Sequence, residues 1–389
     1  MQYDFDAVID RRTTSSVKWH RSDGRDDEIL PLWIADMDFP SPDPVARALA
    51  DRAGHPVYGY TEASASYFEA AAGWMRDRQG WQVSPDWILP SDGVVRDLYM
   101  LVRNMVAPGE KVLIQPPIYH PFFAAIRDNR AEVVENPLIA DHGRYTMDFE
   151  DLERKLSSGP VKLALLCSPH NPVGRVWTVN ELETFASICR THGVRVVVDE
   201  IFGDLVYPSN QFVPFQTVSR DILPRTIICT SPGKTFNLAG LRFSNLIIAD
   251  EASRLDVKRW RAETGAFGVN IFGLAAGESA YRAGGEWFDQ MLAYLAGNLS
   301  LIRDSVSNRI PNVRLIEPEG TFLAWLDFRG MGLSSPELSR LIRETARLHL
   351  IDGPVFGTGG EGFERLNFAC PRSRLLEALT RLETVVREN

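Results

Sequence analysis

A single lysine set among small and apolar residues opens the chemical reading: Lys234 in SPGKTFNLAGLR, the run from Ser231 to Arg242. A lone lysine in such company usually snorkels, laying its stem on apolar surface and keeping its ammonium in water. Held instead in a low-polarity crevice, the amine sheds its proton, becomes nucleophilic and can join an aldehyde as a Schiff base. Asp199 is the second position of interest, because the apolar run of VRVVVDE (194–200) ends abruptly in its carboxylate. Taken alone, a strand-end aspartate caps a turn, binds a metal or takes part in catalysis.

If the aldehyde were that of pyridoxal 5'-phosphate, Asp199 would be the candidate partner for its ring. Its pyridine nitrogen needs a buried carboxylate, since only the protonated ring is a strong electron sink. A phosphate needs backbone amides at a helix start. LPSDGVVRDLYMLVRNMV supplies a turn at Ser91-Asp92-Gly93, followed by Val95, Leu98, Val102 and Met105 at helical spacing. The amides of Gly93, Val94 and Val95 would face an anion there, helped by the helix dipole. One glycine before a helix is also ordinary turn chemistry. Ser231 and Arg242 flank the lysine and offer a hydroxyl and a guanidinium to the same phosphate. In CSPHNPVGRVW, Asn171 offers an amide to a phenolic oxygen, or simply forms a polar turn with Pro172. Tyr119 in QPPIYHPFF either stacks on a ring or fills the core.

These residues must be positioned by something, and the chain supplies an alternation of β-rich and helical runs. KVLIQPP (111–117), VKLALLCSP (161–169), VRVVVDE, TIICTS (226–231) and SNLIIAD (244–250) read as strands buried on both faces. TVNELETFASICRTHG carries a capping box at Thr178 and Glu181 and stops at Gly193. The alternation implies an α/β fold with a mostly parallel sheet covered by helices on both faces. In such sheets ligands bind beyond the carboxyl ends of the strands, where Asp199 and the lysine run lie. Residues 46–284 are taken as this large domain. Residues 285–389 read as a smaller α+β unit: a helix over 285–308, a strand pair around Glu319-Gly320, a glycine-rich loop, the strand RLNFAC and a last helix from Ser373. Residues 1–45 are expected to join it.

Bulk properties exclude other classes. Forty-two basic against 51 acidic residues give a formal charge of −9, which opposes non-specific binding to nucleic acid or anionic membrane. No apolar run approaches a membrane span, and MQYDFDAVIDRR lacks a signal-peptide core. The four cysteines are scattered without metal-site spacing, and three lie in apolar runs as buried thiols, which suits a reducing cytoplasm.

With these residues in hand, the chain resembles PLP-dependent enzymes of fold type I, the class I/II aminotransferase superfamily. Within it, the likeness is to the MalY/PatB-type cystathionine β-lyases, which cleave carbon–sulfur bonds. LWIADMDFPSP (32–42), YGYT (58–61), SPHNPVGRVWT (168–178), SPGKTFNLAGL (231–241) and RLNFACPRS (365–373) carry it across nearly the whole chain. The resemblance implies that Lys234 holds the cofactor and then carries the proton. Asp199 would pair with the pyridinium nitrogen, Asn171 with the phenolic oxygen, and Tyr119 would stack on the ring. Gly93, Val94, Val95, Ser231 and Arg242 would hold the phosphate, joined by Tyr60 from a neighbouring subunit in a homodimer. Arg365 would grip the substrate α-carboxylate.

The sequence departs from that pattern twice. Where the family usually has a tyrosine or histidine donor three residues after the strand-end aspartate, this chain has Phe202, expected to touch the cofactor without donating. Gly233 stands where a serine commonly precedes the lysine. The leading expectation is a β-lyase acting on an S-substituted cysteine or related amino acid, giving thiol, pyruvate and ammonia. Transamination, or decarboxylation or oxidative deamination of an amino-acid-like substrate, shares the scaffold. Loops near 30–40, 265–275 and 352–362 are expected to select the side chain.

Overall fold

The computed structural model describes residues 2–19, 28–141, 143–265 and 268–389. Its large sheet has seven strands: β1 (Ile88–Ser91), β2 (Lys111–Ile114), β3 (Glu132–Glu135), β4 (Val161–Cys167), β5 (Arg195–Asp199), β6 (Thr226–Thr230) and β7 (Ser244–Ile247). Their order across the sheet is β1-β7-β6-β5-β4-β2-β3. β7 is antiparallel to both neighbours and every other pairing is parallel. The apolar runs explain the burial, because alternate residues of one strand feed two separate cores. Leu163, Leu165, Val197 and Ile227 enter the core on one face, and Ala164, Leu166, Val196, Val198 and Ile228 the core on the other. β1 was not among the expected strands. It contains Pro90, which has no N–H to give a ladder, and it survives by lying at the edge with β7 as its one partner.

Helix α1 (Val94–Met105) starts where the turn at Ser91-Asp92-Gly93 was expected, but its inward face differs. Val94, Leu98, Leu101 and Val102 are buried, whereas Val95 is 38% exposed. The reason is Asp97, a charged residue on the buried side that hid the true stripe. Helix α2 (Val179–Thr191) has the capping box of Thr178 and Glu181, and Gly193 beyond it takes a φ of 70°. Helix α3 (Pro232–Thr235) is a single turn that carries Lys234.

The second sheet is antiparallel and has four strands: β8 (Arg314–Ile316), β9 (Leu323–Asp327), β10 (Ile351–Asp352) and β11 (Phe363–Asn367), ordered β8-β9-β11-β10. β11 begins earlier than the expected RLNFAC, so Arg365 lies at its middle. Helix α4 (Gly285–Asn308) and helix α5 (Arg372–Glu388) cover it. The N-terminal segment runs beside this sheet: Leu30 pairs with Leu348, Asn367 N–H donates to Leu32 O at 2.8 Å, and Asp38 N–H donates to Ala369 O at 2.9 Å. Among the described residues no helix is long and apolar enough to cross a membrane.

Gly174 joins the two sheets. Its carbonyl accepts from Glu319 N–H and Gly320 N–H at 2.8 and 3.0 Å, its φ is 72°, and a Cβ there would lie 2.5 Å from Pro318 Cβ. Backbone strain and the clash therefore act together in Gly174→Ala, which should lose about 2–4 kcal/mol in a urea melt. A loss below about 0.5 kcal/mol would show that the contact yields freely.

Candidate active site

Because β4, β5 and β6 are parallel, their carboxyl ends come out on one edge, with Asp199 paired to Cys167 on one side and to Cys229 on the other. The chain leaves β6 through Ser231, whose hydroxyl accepts from Gly233 N–H at 2.9 Å and caps α3. That single turn delivers Lys234 to the crevice bordered by Asp199. Both line a cavity of about 530 Å³ with Tyr119, Asn171, Phe202, Ser231 and Arg242, the turn Asp92–Arg96, and Ala35.

Burial pushes Lys234 down to about 8, opposed by Asp36 and assisted by Arg365. Its Nζ donates to Ala35 O rather than to Asp199. Burial also pushes Asp199 up to about 6, against the Ile201 amide, which donates to Oδ1 at 3.0 Å, and against Lys234. Phe202 is buried, edge-on to Phe322 at 5.5 Å, with its ring centroid 6.0 Å from Lys234 Nζ. Burial raises the Tyr119 hydroxyl, Arg365 opposes this and Asp199 adds to it, so Tyr119 shares their field.

The anion end is more selective than the sequence suggested. Gly93 has a φ of 113°, and its N–H is already given to Ser244 Oγ at 2.8 Å. Asp97 N–H is the first in α1 to bond back, to Gly93 O at 3.1 Å. The donors without an intrahelical acceptor are thus the amides of Val94, Val95 and Arg96. The Ser231 hydroxyl is likewise occupied, donating to Phe243 O at 2.5 Å. Arg242 lines the same cavity with an exposed guanidinium and a backbone φ of 46°.

Arg365 and Asn171 meet directly. Arg365 Nη1 donates to Asn171 Oδ1 at 2.9 Å and Nη2 donates to Trp33 O at 2.9 Å, while its buried Nε has no partner. Phe356, from the expected 352–362 loop, lies 5.1 Å from the guanidinium. Tyr60 is placed elsewhere: it is fully exposed and does not line the cavity of its own chain. Within the 265–275 loop, Ala266 and Phe267 lie outside the described residues. The Ala35 carbonyl was legible only as part of LWIADMDFPSP. The Ser244 hydroxyl had no sequence signal at all, since a serine opening a strand is unremarkable.

The residues suit a phosphorylated aldehyde with a basic ring nitrogen. An amine of lowered pKa and a buried carboxylate share one cavity with the amides at the start of α1 and the Arg242 guanidinium.

Comparison with known proteins gives the same picture. The family description "Aminotransferase class I and II" matches residues 27–382. Cystathionine beta-lyase PatB of Bacillus subtilis is 39% identical over 98% of this chain and 99% of its own. Cystalysin from Treponema denticola, whose crystal structure contains a pyridoxal 5'-phosphate cofactor, superimposes with a TM-score of 0.96 at 34% identity over the whole of both chains. The PLP-bound C-S lyase from Staphylococcus hominis superimposes with a TM-score of 0.92 at 32% identity, covering 99% of this chain and 98% of that one. The chain belongs to the class I and II aminotransferase family.

Proposed function

We propose that the protein is a pyridoxal 5'-phosphate-dependent carbon–sulfur β-lyase acting on an S-substituted cysteine or related amino acid. The observation that carries this reading is Lys234 and Asp199 lining one cavity from the ends of adjacent parallel strands. Whole-length likeness to a cystathionine β-lyase supports lysis over transamination.

When bound, the cofactor supplies an aldehyde for the lysine and a protonated ring that accepts the electron pair left at the substrate α-carbon. Asp199 would pair with the ring nitrogen and keep it protonated, a counter-charge that would also keep the buried carboxylate ionised. Asn171 directs its amide to the phenolic oxygen, and Tyr119 covers the ring face. The amides of Val94 and Val95, at the turn made by Gly93, hold the phosphate with Arg242 and the capped Ser231 turn. Phe202 fills the space beside the ring without donating. Arg365 takes the α-carboxylate, with its unpartnered Nε as the donor left over. Lys234 Nζ, whose ammonium is weakened by burial so that it sheds its proton near pH 8, takes the α-proton in its neutral form. Loss of the β-thiolate follows, and hydrolysis balances the reaction as thiol, pyruvate and ammonia.

The protein works as a cytoplasmic homodimer in which Tyr60 reaches the partner's phosphate site. Its full exposure, with Val57 and Tyr58 at 63% and 57% exposed beside it, supports that placement.

Four outcomes test this reading. Apoprotein should react with an amine-selective reagent at Lys234 with a midpoint near pH 8, below the ordinary lysine range, because protonation is lost earlier in the buried site. A midpoint above pH 10 would mean a solvated amine. Lys234→Ala should lose the yellow absorbance of bound cofactor and all turnover, and Arg365→Ala should raise KM at least about tenfold. Wild-type protein given S-substituted cysteines should release pyruvate and thiol in equal amounts with no keto acid added. Strict dependence on a keto acid would assign it to transamination.

A further inference from the structure

The carboxylate of Asp97 has no part in the chemistry described above, yet it is almost completely buried, at 1% exposure, one turn below the phosphate-binding amides. Three elements converge on it. Ser91, at the end of β1, donates its hydroxyl to Oδ1, and Ser244, at the start of β7, donates its hydroxyl to Oδ2 at 2.7 Å. Ser91 and Ser244 are paired across the sheet. Ser244 Oγ in turn accepts the Gly93 N–H at 2.8 Å. No cation binds Asp97 directly among the described residues. Arg261 spends its guanidinium on Pro90 O at 2.8 Å and Gly268 O, and Arg96 is held by Asp92 Oδ2 at 2.6 Å.

An ionised carboxylate only accepts hydrogen bonds, so it sets the direction of every hydroxyl attached to it. Ser244 must donate to Asp97, which leaves its lone pairs for Gly93. The Gly93 N–H is thereby turned inward, fixing the peptide plane before α1. The amides of Val94, Val95 and Arg96, which follow that plane, are left to face the cavity. Resting on the cofactor reading above, we infer that Asp97 is a positioning residue for phosphate binding, acting through Ser244 on the Gly93 peptide. Burial pushes the Asp97 carboxyl up to about 6, opposed by the two serines and by Arg261 and assisted by Asp92, so its charge is maintained by those hydroxyls. Burial, and after it the same charge, raises the Cys229 thiol on β6.

The sign of the effect separates positioning from plain electrostatics. A negative charge under an anion site repels the anion, so removal of the charge alone would tighten phosphate. Loss of positioning would loosen it. The experiment measures the Kd of pyridoxal 5'-phosphate, and separately of inorganic phosphate, for apoprotein carrying Asp97→Ala, Asp97→Asn, Ser244→Ala or both alanines, with an apoprotein thermal melt for each. Positioning requires that Asp97→Ala and Ser244→Ala each weaken both ligands about tenfold. The double variant should be little worse than either single, because both act on one peptide. Asp97→Asn, which keeps an acceptor for Ser244, should remain within about threefold of wild type.

Tighter binding by Asp97→Ala, affinity within twofold of wild type, or additive losses in the double variant would each overturn the inference. If Asp97→Ala does not fold, Ser244→Ala decides by the same criteria, and Asp97→Asn overturns the inference if it weakens binding well beyond about threefold. Wild-type protein that takes up no pyridoxal 5'-phosphate would sink the cofactor reading instead, and the inorganic phosphate series would still decide the role of Asp97.

Discussion

An amine taken out of water must lose its proton or find a counter-charge, and the site at the ends of β4, β5 and β6 is built around that requirement. The burial that lowers Lys234 also lifts Asp199, so near neutrality each sits close to the point where its charge changes. Neither relieves the other by direct contact, since the amine is turned to Ala35 O. A ligand with an aldehyde and a basic ring nitrogen answers both needs. The neighbouring thiol of Cys167 shows the same low polarity: burial first, then Asp199, raises it far above its usual range. It is therefore an inert wall of the site rather than a competing nucleophile.

The segment 32–41, which contributes Ala35 to the cavity wall, is tied to the lysine turn and to the second sheet by two asparagines. Asn237, just past the lysine turn, donates to Met37 O at 3.1 Å and Phe39 O at 2.8 Å and accepts from Met37 N–H at 3.0 Å. Asn367, at the end of β11, donates to Ile34 O at 2.6 Å and Asp36 O at 2.7 Å. The segment thus spans from the lysine to the strand that holds Arg365. Behind it lies a buried ionic cluster in which Lys18 Nζ reaches Asp38 at 3.0 Å and Arg11 bridges Asp36 and Asp38 at 2.7 Å each. Removing one partner of the Lys18–Asp38 pair would strand a buried charge, which ties the arm to this arrangement.

Much of this was legible, and what was not shares a physical cause. Asp199 and Lys234 could be read because a buried strand that stops in a charged residue is a local event in sequence. The capping box on α2 is local too, its partners lying within one helical turn. Asn237 and Asn367 stand in SPGKTFNLAGL and RLNFACPRS with no role legible there, for they act on backbone carbonyls 198 and 333 positions away, and no periodicity records such a bond. The face of α1 was misread because Asp97 interrupts the apolar stripe, although its two serine partners make it compatible with burial. The turn at Gly93 could be seen, while the partner of its amide could not.

The departures at 202 and 233 have different physical standings. Gly233 is imposed locally: a Cβ there would lie 2.9 Å from Ser231 Oγ, and that oxygen is already fixed between Phe243 O and the Gly233 amide. A larger residue would have to displace the cap that starts α3. Phe202 has no such constraint from its backbone, and its ring offers Lys234 a weak quadrupole attraction at 6.0 Å where a donor was expected. The remaining amide donor, Asn171, is oriented by Arg365 through its Oδ1 at 2.9 Å. A carboxylate that draws Arg365 Nη1 away also frees that amide to turn. In this chain, therefore, the orientations of the Arg365 guanidinium and the Asn171 amide are joined by one hydrogen bond, and a shift of either reaches the other.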